Sequence, residues 1–249
     1  MDRPADDARI TTVLGELRRA GGFNALDAAA AAPAGAGWTS FAAFYGSPAL
    51  VDGRMDLVDA AHRPAERRVS ASVLHLGVAS RVVSPVLAAA CLGVLLELPA
   101  DRLFWDLAPG SMLPLRAVAP RGRCVDGAAA ADVAAALRPA LVEEHLRPLG
   151  AAVRGRVRVA ERLLWGNAAA AVGGAVLMLS RLRPDLADRA AAIGAALIAE
   201  GPMRGLGEVL RPDPRSPERR FARRTCCLLY RAPRGDVCGD CSLRGGAGD

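Results

Sequence analysis

Apolar residues recur with helical spacing in the first part of the chain. These residues are Ile10, Val13, Leu14 and Leu17, and they form one apolar stripe. Acidic residues precede the stripe and two glycines follow it. An apolar face with an acidic start and a glycine end predicts an amphipathic helix. The alanine- and glycine-rich residues 28–37 that follow are expected to form a loop or a loose helix end.

Longer apolar stretches in the middle of the chain predict buried helices. Residues 69–97 are expected to form one or two helices interrupted near Pro85, because proline removes a helical hydrogen bond. Three further helical stretches are predicted: residues 127–147 with a kink or break at Pro139, residues 153–181, and residues 184–199 after Pro184. Together these stretches would form most of the body.

A small β element is predicted between the helices. Leu103-Phe104-Trp105 and residues 112–118 flank Pro109-Gly110-Ser111, a pattern typical of a β-hairpin. Pro114 would have to lie at a sheet edge or a bulge. Upstream, four aromatic residues fall within eight positions and are expected to form a satellite hydrophobic cluster or one wall of a ligand cleft: Trp38, Phe41, Phe44 and Tyr45.

These elements predict a mainly α fold (α+β), in which a helical body carries a small antiparallel β element and a C-terminal four-cysteine segment. Residues 201–220 contain several prolines with alternating charges, and residues that precede proline resist helix formation. We therefore expect a mainly helical, substrate-binding body over 1–200, a proline-rich linker over 201–220 and a metal-binding segment over 221–249.

Composition narrows the function classes. The 249 residues are 52% apolar, so most of the chain should be folded, and every basic residue is arginine. Net charge is +6, but only 4% of residues are aromatic and acids lie among the arginines, so nucleic-acid binding is not expected. The acidic N-terminus does not resemble a signal peptide, and the uncharged stretch Leu163–Ser180 suits a buried helix. We expect a cytoplasmic protein with at most peripheral membrane contact.

Four of the six cysteines lie within sixteen residues near the C-terminus. Cys226-Cys227 and Cys238-Gly-Asp-Cys241 form a C-C-x10-C-x2-C cluster. Four thiols suit either a four-cysteine zinc site or a [2Fe-2S] cluster. Zinc sites usually separate the cysteines of a pair by two to four residues, which counts against an ordinary zinc ribbon. The spacing alone leaves both metals open.

The cysteine segment resembles the C-terminal signature of the FhuF family, the ferric-siderophore reductases with a [2Fe-2S] cluster. The similarity lies in the arginines before the cysteine pair and in Cys238-Gly-Asp-Cys241 after it, and Trp165-Gly166-Asn167 is similar to a segment of the same family. The resemblance implies that Cys226, Cys227, Cys238 and Cys241 are the ligands. We expect the adjacent pair to bind one iron and the Cys-x2-Cys pair the other.

The same resemblance implies an oxidoreductase that reduces Fe(III) in a siderophore complex by one electron and releases Fe(II). The substrate would be a ferric siderophore, with the hydroxamate type as one candidate. The chain has no flavin or nicotinamide motif, so a partner protein is expected to supply the electrons. Two alternatives remain at this point: an iron–sulfur redox sensor and a zinc-stapled interaction protein.

Residues near the cysteines are candidates for tuning the cluster or binding substrate. Arg223 and Arg224 belong to an arginine-rich stretch, which would be either a solvated basic face or a source of positive charge that raises the cluster potential. Tyr230 would pack the cysteine loop or line the substrate cleft. Trp165 would be a core residue or stack on ligand, and Asn167 would cap a helix or hold the cluster loop through its backbone.

The remaining chemically interesting residues have simpler interpretations. Cys91 lies in an apolar run and is expected to be a small buried hydrophobe, while Cys124 lies in a basic loop and could be reactive. His145 follows two glutamates and is expected to belong to a surface pair on a helix. The Gly173-Gly174 pair within an apolar helix indicates close packing.

Overall fold

The computed structural model of the protein describes residues 3–35, 37–63, 66–108, 114–212, 218–233 and 237–242. The described residues of the first half contain four α-helices and six short strands: α1 (Asp7–Ala20), β1 (Asp27–Ala29), β2 (Trp38–Ser40), α2 (Phe41–Gly46), α3 (Pro48–His62), α4 (Arg67–Cys91), β3 (Val94–Glu97), β4 (Leu103–Asp106), β5 (Leu115–Val118) and β6 (Arg121–Cys124). The second half contains α5 (Ala130–Arg138), a π-helix (Pro139–Leu146), α6 (Arg147–Arg154), α7 (Glu161–Leu182), α8 (Ala187–Ile198), β7 (Gly207–Leu210) and β8 (Arg220–Arg223). The predicted mainly α fold is confirmed.

Helices α4 and α7 pack against each other through the core. Both are long and apolar enough to cross a membrane, but 78% and 72% of their most apolar windows are buried inside the fold. Such burial is typical of core helices, as the sequence predicts for residues 163–180. Pro85 lies inside α4 without ending it, because its neighbours are buried and tertiary packing outweighs one lost hydrogen bond.

The predicted hairpin is present, although residues 109–113 lie outside the described part of the chain. Strands β4 and β5 pair antiparallel, with Trp105 opposite Leu115. They belong to a four-stranded sheet in the order β1-β5-β4-β2, in which β1 and β5 run parallel. The expectation of a loop or helix end over residues 28–37 was therefore wrong for β1, whose pairing partner lies far along the chain.

Two further expectations about the helices need correction. Residues 94–97 form strand β3, paired with β6, instead of continuing the predicted helix, and Gly93 makes the exit at φ 89°. The predicted helix over 153–181 is divided, because α6 ends at Arg154 and α7 begins at Glu161. Gly155 and the alternating Arg and Val residues after it favour a non-helical connection.

His145 does not form the predicted surface pair with the glutamates. It is 2% exposed, and its Nε2 lies 2.7 Å from the Leu98 carbonyl oxygen while its Nδ1 lies 3.1 Å from the Tyr45 hydroxyl. Of the four aromatic residues before it, Phe41 and Phe44 belong to the main core and Tyr45 packs against it, with the Phe41 ring stacked on Trp105 at 4.9 Å. Phe41 and Phe44 are therefore part of the main core instead of a satellite cluster, and the alternative of a cleft wall stays a prediction.

Part of the predicted linker forms a β-strand. Strand β7 pairs antiparallel with β8, and the two-stranded sheet contacts α7. The sheet places β8, and with it the start of the cysteine segment, on the surface of the α4–α7 pair. The division of the chain at residues 200 and 220 stays a prediction.

Candidate metal centre

The cysteine segment is fastened to the body by the ring of Phe221. This side chain is 7% exposed and lies between two glycines, Gly173 of α7 and Gly207 of β7. A Cβ atom would lie 2.3 Å from the ring at Gly173 and 2.1 Å from it at Gly207. Since real Cβ atoms do not approach so closely, both positions must remain glycine for the ring to fit.

A buried polar network joins β8 to both central helices. Arg223, which is 4% exposed, donates through Nη2 to Oδ1 of Asn167 and through Nε to the Thr225 carbonyl oxygen at 2.5 Å. Asn167 in turn donates through Nδ2 to the carbonyl oxygen and Oγ of Ser72, at 2.9 and 3.0 Å. Arg223 is therefore an anchor of the cysteine segment and not part of a solvated basic face.

Gly166 completes this attachment. A Cβ atom there would lie 1.8 Å from Oγ1 of Thr225, the residue directly before the cysteine pair. The Trp-Gly-Asn segment of α7 thus receives the cysteine segment, with Gly166 making room for Thr225 and Asn167 binding Arg223. Asn167 holds the segment as the sequence suggested, but through a side chain instead of the backbone.

Trp165 lies on the neighbouring part of α7. Its Nε1 donates to Glu161 at 3.2 Å, and the Arg147 guanidinium lies 5.6 Å from its ring centre. The ring and His75 line a small pocket of about 110 Å³. Burial, and then the nearby charge of Arg223, lower the pKa of His75 to about 3, so this imidazole is neutral.

The four candidate ligands lie in two turns that face each other. The Sγ atoms of Cys227 and Cys238 are 3.4 Å apart, and Cys226 Sγ accepts a hydrogen bond from the Leu228 amide at 3.3 Å. Leu228 has φ 67°, so the chain bends immediately after the adjacent pair. In the second turn, the Cys241 amide donates to the Cys238 carbonyl oxygen at 3.1 Å.

This arrangement fits a thiolate-bound metal centre in its donor set. Two thiolates on one tetrahedral metal, each at about 2.3 Å, would lie about 3.8 Å apart, close to the separation of Cys227 and Cys238. Within the described residues, no three cysteine, histidine or acidic side chains yet converge on one point. The close pair takes one cysteine from each motif, so the expected sharing of iron within each motif stays a prediction.

Burial differs among the four thiols. Cys227 is 3% exposed, while Cys226, Cys238 and Cys241 are partly exposed. Burial, together with the neighbouring Cys227, raises the pKa of the Cys238 thiol. Metal binding must therefore displace a proton from Cys238.

The other sequence candidates occupy the surface. Arg224 lies 3.4 Å from Glu208, both exposed, and Tyr230 is 43% exposed beside Arg231. Arg231, another member of the arginine-rich stretch, pairs with Glu66 at the start of α4. Tuning of the cluster by Arg224 and substrate contact by Tyr230 stay predictions.

Cys91 and Cys124 lie apart from the segment. Cys91 is 5% exposed and burial raises the pKa of its thiol to about 12, which agrees with the expected buried hydrophobe. Cys124 is half-buried at the end of β6, where its Sγ lies 4.0 Å from the Pro4 carbonyl oxygen.

A cleft opens beside the second cysteine turn. It has a volume of about 700 Å³ and lies between that turn, helices α4 and α7, and strand β8. Cys241 lines it, as do Leu76 of α4 and Gly174 of α7. No sequence pattern pointed to this cleft, because its walls come from four separate parts of the chain.

The donor set and its position describe an iron–sulfur segment docked on a helical body. Residues 223–243 match the family model of the FhuF 2Fe-2S C-terminal domain, and this range contains all four cysteines. The segment therefore matches a FhuF-type domain, and its cofactor is a [2Fe-2S] cluster. The assignment of Cys226, Cys227, Cys238 and Cys241 as the ligands stays a prediction. A comparison with curated proteins gives no match.

Proposed function

We propose that this protein is a ferric-siderophore reductase. The observation that carries the proposal is the match of residues 223–243 to the FhuF 2Fe-2S C-terminal domain, a domain that suggests a siderophore-iron reductase type of redox role. The partial exposure of Cys226, Cys238 and Cys241 supports it, because an electron must pass from the protein to a substrate that arrives from solution.

The chemistry requires a single electron. A siderophore holds Fe(III) through hard oxygen donors, and its affinity falls once the ion becomes Fe(II), so the metal can leave. When bound, a [2Fe-2S] cluster supplies one electron at a time, which matches this step. The chain's own residues keep the cysteine segment in place through Phe221 and Arg223 and keep Cys227 away from water.

The proposed setting is the cytoplasm. A reducing compartment favours thiols that bind a metal over disulfides, and four of the six cysteines lie in the segment that matches a 2Fe-2S domain. The proposed electron source is a partner protein that replaces the electron given to each ferric ion. We propose no nucleic-acid partner and at most peripheral membrane contact.

Anaerobic purification followed by visible and EPR spectra, before and after dithionite, tests the cofactor. A reductase should show cluster absorption and an EPR signal on reduction. It should then release Fe(II), trapped with ferrozine, from ferric hydroxamate complexes. If the cluster can be reduced but the protein releases no Fe(II) from the ferric complexes, the protein would instead be a redox sensor. A colourless protein that contains zinc would indicate an interaction protein whose cysteine segment is held together by the metal.

A further inference from the structure

We propose that the cleft beside Cys241 binds the ferric complex, and that it is built for a complex with net negative charge. The proposal rests on the proposed function, since it names where and in what charge state the substrate of the same centre binds. It would make the Cys238–Cys241 turn the side from which the electron leaves.

The first part of the proposal, that the cleft binds the ferric complex, rests on the position of the cleft. Among its described lining residues, Cys241 is the only one of the four cysteines, and its neighbours Asp240 and Ser242 lie on the same wall. A molecule in the cleft would therefore lie against one ligand of the cluster without entering the buried part of the segment. Its volume of about 700 Å³ is within the range of small-molecule sites.

The opposite wall is apolar and open. It is formed by Leu76 of α4 and by Ala170, Gly174 and Leu177 of α7. A Cβ atom added at Gly174 would meet nothing within 4 Å, whereas one at the neighbouring Gly173 would strike Phe221. Gly174 thus widens the cleft and leaves space for the organic part of a bulky ligand.

The second part of the proposal, the preference for a negatively charged complex, rests on the charged residues that line the cleft. Outside the buried network, the described lining residues include three arginines and two acids: Arg181, Arg219 and Arg220 against Glu218 and Asp240. Arg223 also lines the cleft, but its side chain is buried as the anchor of the segment. Arg219 pairs with Asp188, which lies outside this cleft. Arg181 pairs with Glu218 at 2.7 Å, but both side chains are more than 60% exposed, so a ligand could compete for the guanidinium at low cost.

Guanidinium groups bind planar oxygen anions in a bidentate manner. An excess of arginine around an apolar floor therefore favours an anionic complex, such as iron held by three catecholates. A neutral trihydroxamate complex would gain the apolar contacts but not the charge interactions.

The size of the cleft is tested by filling it. Gly174→Leu and Gly174→Phe place progressively larger side chains in open space, and Gly53→Phe makes the same change at an exposed helical glycine outside the cleft that also has nothing within 4 Å. The probe is the gallium(III) complex of a tricatecholate siderophore, which is redox-inert, added to the cluster-loaded protein in a calorimetric titration. We expect affinity to fall about tenfold or more for Gly174→Phe, less for Gly174→Leu, and not for Gly53→Phe.

The charge preference is tested with a second pair of variants. Arg181→Gln removes an arginine that lines the cleft. The control, Arg18→Gln on α1, removes an arginine whose ion pair with Asp27 of β1 is similarly exposed. Affinity for the tricatecholate complex should fall several-fold for Arg181→Gln alone and should weaken with added salt. Equal affinity for a neutral trihydroxamate gallium complex would overturn the charge assignment.

The outcomes separate the cleft from the reductase proposal. If the wild-type protein releases Fe(II) from ferric complexes and Gly174→Phe does so at the same rate with an unchanged cluster spectrum, the cleft proposal is wrong and the reductase stands. If the gallium complex binds and Gly174→Phe abolishes binding, but ferric complexes are not reduced, the cleft stands and the reductase proposal fails. Absence of gallium-complex binding to wild-type protein also overturns the cleft proposal.

Discussion

Arg223 binds the side-chain oxygen of Asn167 across 56 positions of sequence, and this contact fixes the iron–sulfur segment to helix α7. Asn167 passes the connection on to Ser72 of α4, so one polar chain crosses the three elements that meet beneath the cysteines. Because the network is buried, loss of one member leaves the others without partners in a dry environment.

We expect Arg223→Ala to lower the free energy of unfolding by about 2–4 kcal/mol and to reduce cluster retention, because it leaves Asn167 and Thr225 unsatisfied. Arg224→Ala is the matched control, since Arg224 is exposed and its only described ion pair is with exposed Glu208. It should change stability by at most about 0.5 kcal/mol. Urea denaturation and iron content measure both variants, and equal effects would show that Arg223 is not an anchor.

The adjacent glycines of α7 should respond in opposite ways to alanine. Gly173→Ala pushes against the Phe221 ring and should cost about 1–3 kcal/mol, because the ring is confined on its other side by Gly207. Gly174→Ala meets open space and should stabilise the helix by about 0.5–1 kcal/mol. Thermal unfolding compares them, and a stable Gly173→Ala variant would contradict the confinement of Phe221.

Stability should fall on acidification because of His75. Its pKa in the folded protein is about 3, below the ordinary value of 6.5, so the unfolded chain takes up the proton first. The contribution is complete above pH 6.5 and is lost as pH falls from there towards 3. Between pH 7 and pH 5 it amounts to about 2 kcal/mol.

The measurement is the free energy of unfolding of wild type and His75→Gln at pH 7 and pH 5. The variant should lose less stability than wild type over this interval, whereas His62→Gln, at an exposed position, should follow wild type. His145 is also buried, and burial lowers its pKa, so part of the acid sensitivity should survive in His75→Gln. Identical slopes for wild type and His75→Gln would contradict the assignment.

Replacement of cysteines by serine should separate ligands from bystanders. Cys238→Ser should remove most of the bound iron and the visible absorption, because thiolate donors hold the cluster. Cys124→Ser should keep both, since its sulfur lies at the end of β6 in contact with Pro4. Iron analysis of the purified proteins decides; full iron content in Cys238→Ser would exclude it as a ligand.

The local signals in the sequence were sufficient to find the cysteine segment, the Trp-Gly-Asn segment and most helices. Their chemistry or periodicity is contained in a few consecutive residues. The contact between the two segments could not be predicted, because Gly166 and Thr225 are distant in sequence and only the close approach explains the glycine. The sequence did contain an indication of this contact, because Gly166 lies inside an apolar helix. Glycine lowers the stability of a helix, so its presence there suggests that close packing requires it.

The wrong predictions for the segments of β1 and β3 and for His145 have a related cause. Strands β1 and β3 are short, and β3 continues the apolar run of α4, so only pairing with β5 and β6 makes them strands. His145 was misplaced because its partners, Leu98 and Tyr45, come from other elements. Periodicity describes one segment at a time and contains no information on such partners.

The unequal burial of the four thiols sets an order for maturation. Iron and sulfide can reach Cys226, Cys238 and Cys241 from solution, whereas Cys227 is 3% exposed. Either delivery precedes the final folding of the turn at Leu228, or that turn must open to admit them. The rate at which the folded protein takes up its cluster should therefore be limited by the opening of a few residues and not by the supply of iron.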